Sequence, residues 1–150
     1  MSSESDELQN LVPADARSIY SETVIDHAMA PRNLAPIQDA DGFARVRGPC
    51  GDTMEIWVRI RSDYIVRATF MTDGCGPSIA SGSMVTELAT GRSTGDAQRI
   101  TQRDVLDALG GLPEESRHCA LLAADTLRAA LKDYILTRRE PWKRTYRRHE

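Results

Sequence analysis

The chain has 150 residues, 41% of them hydrophobic, which is the length of one domain with a core of its own and leaves no room for a second catalytic domain. Its net charge of −3 argues against a general nucleic-acid binder, a role that shows as a basic excess or stripe. No apolar run approaches the roughly 20 residues that span a bilayer, and Met1-Ser2-Ser3-Glu4 lacks the start of a signal peptide, so a soluble, cytoplasmic protein with no membrane partner is expected.

Residues 1–14, with Glu4, Asp6 and Glu7, read as a flexible acidic N-terminal segment, residues 15–137 as one domain, and residues 138–150 as a basic C-terminal tail. A first helix follows the acidic segment, because Tyr20, Thr23, Val24, His27 and Ala28 share one face of a 3.6-residue repeat. Pro31 and Pro36 bound a loop. From Phe43 the period changes to two. After a short strand over Phe43 to Arg47, Met54, Ile56, Val58 and Ile60 alternate with Thr53, Glu55, Trp57 and Arg59, which predicts a half-buried strand. Ile65 to Thr72 repeats the pattern with Val66, Ala68 and Phe70 on one face, after a turn at Ser62-Asp63-Tyr64.

The rest is helical in pattern. Pro77 suits a first helical position, with Ser81, Met84, Val85 and Leu88 facing inward and Gly91 as a stop. Thr101 caps a helix that ends at Gly110-Gly111. A last helix carries the stripe Ala120, Ala123, Ala124, Leu127, Ala130, Leu131 and Tyr134. Strands first and helices after them define an α+β two-layer sandwich: a three-stranded antiparallel meander with helices on one face.

Cys50, Cys75 and Cys119 are the chain's three cysteines. In a reducing compartment, an odd number of widely spaced cysteines points to metal, catalysis or burial, not to a disulfide framework. Cys50 and Asp52, two apart at a strand entrance, project to the same side. Cys75, between a strand end and a helix start and flanked by Gly74 and Gly76, has free N–H groups and a helix dipole that favour a thiolate. Cys119 also begins a helix, which predicts a lowered pKa, and His118 beside it can ligate or exchange protons. If these segments converge, three sulfurs with one oxygen or nitrogen donor suit tetrahedral zinc or a small iron-sulfur cluster. A harder fourth ligand suits a site that also releases its metal. Taken singly, each cysteine has an even chance of a packing role, Met54 and Met84 fall on core stripes, and His27 and His149 have no partner in sequence.

Four segments, in order and approximate spacing, resemble the signatures of the IscU/NifU-type iron-sulfur cluster assembly scaffolds. They are Pro31-Arg32-Asn33, Cys50-Gly51-Asp52, the run from Gly74 to Glu87, and His118-Cys119-Ala120-Leu121-Leu122-Ala123. The resemblance covers about Tyr20 to Leu136. It implies a scaffold and carrier, not an enzyme with turnover of its own, that takes persulfide sulfur from a cysteine desulfurase. Such a scaffold collects iron, builds a transient 2Fe-2S cluster, or 4Fe-4S on a dimer, and delivers it to apo-iron-sulfur recipient proteins. By position it assigns Cys50, Cys75 and Cys119 as cluster and metal ligands, Asp52 and His118 as the exchangeable ones, and Cys119 as persulfide acceptor; zinc is a common occupant in the family.

Three departures qualify the match. Where family members served by a dedicated chaperone carry Leu-Pro-Pro-Val-Lys, this chain has Leu112-Pro113-Glu114-Glu115-Ser116, which argues against that chaperone contact. His118 stands where the SufU-type branch has lysine, and no insertion is evident, which places the chain nearer IscU and NifU. The later domains and CxxC of full-length NifU are absent. The alternatives are a zinc-dependent sulfur acceptor of the SufU type and, at roughly one in twenty, a Cys75–His118 enzyme.

Overall fold

A computed structural model of the chain describes residues 19–139. Strands β1 (Gly42–Arg47), β2 (Thr53–Arg61) and β3 (Tyr64–Thr72) form an antiparallel sheet in the order β1-β2-β3. Met54, Ile56, Val58 and Ile60 are buried on one face, while Trp57 and Arg59 point to the other. The β2–β3 loop is two residues, Ser62 and Asp63, both with positive φ (51° and 68°), the backbone hand that matches the twist of a tight hairpin.

One strand face departs from the expected pattern. Val66, expected inside, is 47% exposed, and Ile65 is fully buried in its place. The register shifts between Arg59 and Ile60, so Arg59 pairs with Arg67 while Ile60 pairs with Ile65. A bulge of this kind puts an extra residue into one strand and resets which side chains face the core.

The helices are α1 (Glu22–Met29), α2 (Gly76–Ala89), α3 (Thr94–Ala97), α4 (Gln102–Leu109) and α5 (Arg117–Arg139), with a 3₁₀ turn over Glu114–Ser116. They cover the face of the sheet that carries Met54, Ile56 and Phe70, with α5 against β1 and β2 and α2 against β3. The expected α+β sandwich is the observed architecture. Ser21 caps α1 through the Val24 amide, and Thr101 and Asp104 form a reciprocal capping box at α4, each cap worth about 1 kcal/mol. Gly110, in the left-handed conformation at φ 77°, ends α4. Pro77 falls second in α2, after Gly76. The short α3, capped by Ser93, has no counterpart in the sequence-based expectation.

Helix α2 is buried almost all round, because it lies between β3, α1 and α5. Its small residues make that possible. A Cβ at Gly82 would lie 2.3 Å from the Phe70 ring, and the Ser81 and Thr86 hydroxyls donate back to the Pro77 and Gly82 carbonyls.

Between α1 and β1 the chain passes from one edge of the sheet to the other. Leu34 bridges Phe70 in parallel at the outer edge of β3, and the Phe70 amide donates to the Asn33 carbonyl at 2.9 Å. Further on, the Arg59 guanidinium, on the helix-free face, donates to the carbonyls of Gln38 and Asp39, and the Asp41 amide donates to Val58. The α1–α2 contact is polar. His27 Nδ1 lies 2.7 Å from Ser83 Oγ, which also accepts from the Arg32 amide, and Asn33 donates to Thr86 and Glu87.

The expected acidic segment and the basic tail beyond Arg139 lie outside the described residues; α5 itself runs through Arg138 and Arg139. Among the described residues no helix is long and apolar enough to cross a membrane.

Gly82→Ala should cost about 1–3 kcal/mol of unfolding free energy through overpacking against Phe70, measurable by urea titration. Burial, aided by the Arg32 charge and opposed by Asp26 and Glu87, holds His27 below its ordinary pKa of 6.5. The unfolded chain therefore binds this proton more readily than the native one, and stability falls as pH drops below about 6.5. Melting temperatures measured across that range should fall less steeply in His27→Asn.

Candidate metal centre

The tip of the sheet where β2 begins and β3 ends is closed by a backbone clip. The Thr53 amide donates to Asp73 Oδ1 at 2.7 Å, the Asp73 amide donates to the Thr53 carbonyl, and the Thr72 hydroxyl donates to the same carbonyl at 2.8 Å. The clip places Asp52, just before β2, beside Gly74 and Cys75, just after β3. Gly74 fits so closely that a Cβ there would lie 2.8 Å from Asp52 Oδ2 and 2.5 Å from Ser78 Oγ.

Cys50 reaches the same place by a turn, not by strand alternation. The Gly48 amide donates to the Asp52 carbonyl, the Gly51 amide donates to Gly48, and Gly51 has φ 96°. Cys50 and Asp52 thus share a loop ahead of β2, and the expected strand periodicity does not apply to them. Gly48 packs on α5, where a Cβ would meet Leu122 at 3.3 Å.

From the helical layer, α5 contributes His118 and Cys119 in its first turn. His118 Nε2 lies 3.0 Å from Cys50 Sγ and 3.6 Å from Cys119 Sγ. Donor atoms of Cys50, Asp52 and His118 all fall within 4.8 Å of one another. Cys75 is the N-cap residue of α2 and its side chain makes no cap bond. It follows Gly74 directly, next to the carboxylate of Asp52, but lies outside the group of donor atoms that Cys50, Asp52 and His118 form, which Cys119 adjoins through His118. Cys50 and Cys75 are exposed and Cys119 is buried.

Two ligands bonded at about 2.1 and 2.3 Å to a tetrahedral centre sit roughly 3.6 Å apart. The spacing of His118 from Cys119 Sγ is of that size, while the 3.0 Å to Cys50 Sγ is that of a hydrogen bond. Soft sulfur, borderline imidazole and one carboxylate form a set that suits zinc or iron over magnesium or calcium.

The helix-start position does not lower the Cys119 pKa as expected. Burial pushes the thiol up, and the charges of Cys75, Cys50 and Asp52 add to that rise; the hydrogen bond from Ser78 offsets it only in part. At 2% exposure, desolvation outweighs the helix dipole. The dipole argument needed the burial of a residue third in its helix, which the local motif does not reveal.

Ser78 is the residue that the sequence reading passed over. It is fully buried, and its hydroxyl lies 3.1 Å from Asp52 Oδ2 and 3.4 Å from Cys119 Sγ. Its one available signal was an i+3 position from Cys75, in the first turn of the helix that Cys75 begins. His27 belongs to the α1–α2 contact and not to the tip, and His149 lies outside the described residues.

An α+β sandwich with thiol, imidazole and carboxylate groups at one tip is compatible with metal binding. The chain belongs to the NifU-like N-terminal domain family, whose profile matches residues 19–140. It is 46% identical over 118 residues to the iron-sulfur cluster assembly scaffold protein IscU 1 of Archaeoglobus fulgidus, covering 78% of this chain and 77% of that protein. It is 42% identical over 120 residues to the iron-sulfur cluster assembly scaffold protein IscU of Escherichia coli, covering 77% and 93%. The crystal structure of a nitrogen-fixing NifU-like protein (N-terminal) from Brucella abortus shares the fold with a TM-score of 0.64 at 18% identity, over 81% of this chain and 97% of that one.

Alkylation of the native protein with iodoacetamide, followed by peptide mass spectrometry, should modify Cys50 and Cys75 at least tenfold faster than Cys119. Comparable rates would show that the Cys119 thiol is open to solvent.

Proposed function

We propose that the chain is a scaffold for iron-sulfur cluster assembly. It accepts sulfur from a cysteine desulfurase, collects iron, holds a 2Fe-2S cluster on Cys50, Cys75 and Cys119, and passes it to apo-proteins in the cytoplasm. Asp52 and His118 serve as the exchangeable ligands. The observation that carries this reading is the grouping of the Cys50, Asp52 and His118 donor atoms beside Cys119, in a chain whose relatives are named as cluster scaffolds. The protein is a template and carrier, without turnover of its own. Two tips brought together in a homodimer would supply the six thiols from which a 4Fe-4S cluster can be held.

Cys119 is the proposed sulfur acceptor. Its thiolate attacks the outer sulfur of the desulfurase persulfide; the S–S bond of the donor breaks, a new one forms at Cys119, and the donor cysteine leaves as thiolate. Turning that sulfur into cluster sulfide takes two electrons, supplied by an external thiol or a low-potential electron carrier. Because Cys119 is buried beside His118 and Ser78, transfer requires the site to open.

The chain's own residues divide the work by hardness. The thiolates hold iron firmly, and the Asp52 oxygen and His118 nitrogen hold it loosely enough to be displaced by ligands of the recipient. Glu114 and Glu115, on the exposed turn ahead of α5, give this surface an acidic character unsuited to a chaperone groove that selects an apolar and basic stretch.

The competing reading is zinc-dependent sulfur transfer, favoured by the imidazole and carboxylate grouped with the Cys50 sulfur. Anaerobic incubation with iron, cysteine and a desulfurase should produce sulfur-to-iron charge-transfer bands in the visible, lost in Cys75→Ser, and the loaded protein should activate an apo-ferredoxin. A chain that stays colourless and passes on sulfur alone would establish the zinc reading instead.

A further inference from the structure

Ser78 is a buried hydroxyl pointed at two of the proposed ligands, and neither the fold nor the sulfur chemistry accounts for it. Its oxygen lies 3.1 Å from Asp52 Oδ2 and 3.4 Å from Cys119 Sγ. A serine has one proton to give, and the nearer, charged carboxylate oxygen is the stronger acceptor. The bond to Asp52 is therefore the stronger of the two, with Cys119 Sγ as the more distant second partner.

We propose that Ser78 is a positioning residue of the metal centre, acting through Asp52; this rests on the scaffold reading above. Asp52 sits in a loop just after Gly51, whose φ of 96° marks the point where the chain turns. Ser78, by contrast, is fixed in the first turn of α2, where the Ile79 amide donates to the Cys75 carbonyl. The hydrogen bond ties the loop carboxylate to the helix by Oδ2 and leaves Oδ1 for the metal. Gly74 closes over the pair so tightly that a Cβ would meet Ser78 Oγ at 2.5 Å and Asp52 Oδ2 at 2.8 Å. No side chain or competing donor fits between them.

Partners of this kind orient the ligand itself, and their loss typically weakens metal binding by roughly 10–100-fold. Ser78 acts on the hardest donor of the set, so it governs how readily the exchangeable ligand engages. The tie also joins the Asp52 loop to the helix that begins at Cys75, so that the two ligand-bearing segments hold one spacing.

Zinc affinity of the full chain, measured by competition with a chromophoric chelator, tests this. Ser78→Ala should weaken binding by about tenfold or more, yet by no more than about twofold in an Asp52→Ala background, where there is nothing left to position. Circular dichroism and melting should match the unsubstituted protein, since alanine is a better helix residue than serine. Gly74→Ala, whose methyl displaces the same hydroxyl, should reproduce the loss. Equal losses in the two backgrounds, or none, would overturn the proposal, even if cluster delivery to an apo-ferredoxin persists. A chain that binds no zinc and delivers no cluster would bring down the scaffold reading and this inference together.

Discussion

The clip between Thr53 and Asp73 is the constraint on which the tip depends. Antiparallel pairing of β2 with β3 brings the start of one strand beside the end of the other, and the carboxylate of Asp73 and hydroxyl of Thr72 extend that pairing one step past the sheet. Everything upstream and downstream then has little freedom. Asp52 must lie against Gly74, Cys75 must begin α2, and Cys50 must return over Asp52 through a turn that only glycine at position 51 makes without strain. Helix α5 supplies the remaining candidate ligands because its apolar stripe, including Leu122, Leu127 and Leu131, lies against the sheet and fixes where its first turn ends.

The division between a firm layer and a loose loop follows from where the hydrogen bonds go. Cys75, His118 and Cys119 belong to helices whose other residues are in the core, so their backbone positions are set by packing. Cys50 belongs to a short turn held by two backbone bonds and a contact with Leu122. A centre built this way keeps part of its geometry while another part yields, which suits the proposed role of assembling a cluster and surrendering it.

Much of the fold was legible in the residues because periodicity is a local property. The alternation in β2, the capping box of α4 and the alanine-rich stripe of α5 each announce their element without help from the rest of the chain. Val66 was misplaced because the bulge at Arg59 and Ile60 comes from how two strands register, which neither strand encodes by itself. Helix α2 shows no strong stripe because three neighbours surround it, so its pattern of small residues reads as ambiguous until Phe70, α1 and α5 are in place. The five candidate ligands could be picked out from their motifs, yet the burial that raises the Cys119 pKa belongs to tertiary packing, and the hydroxyl of Ser78 beside it was marked only by its i+3 spacing from Cys75.

The short parallel bridge at Asn33 and Leu34 has a consequence for how such a molecule behaves at high concentration. A three-stranded sheet has a large share of its backbone on its rims, and the rim of β3 would otherwise offer open amides and carbonyls to a neighbouring copy. By occupying the Phe70 position from within the same chain, the segment after α1 fills part of that template before another molecule can. Strand-on-strand stacking of copies along that rim is thereby hindered at the Phe70 position.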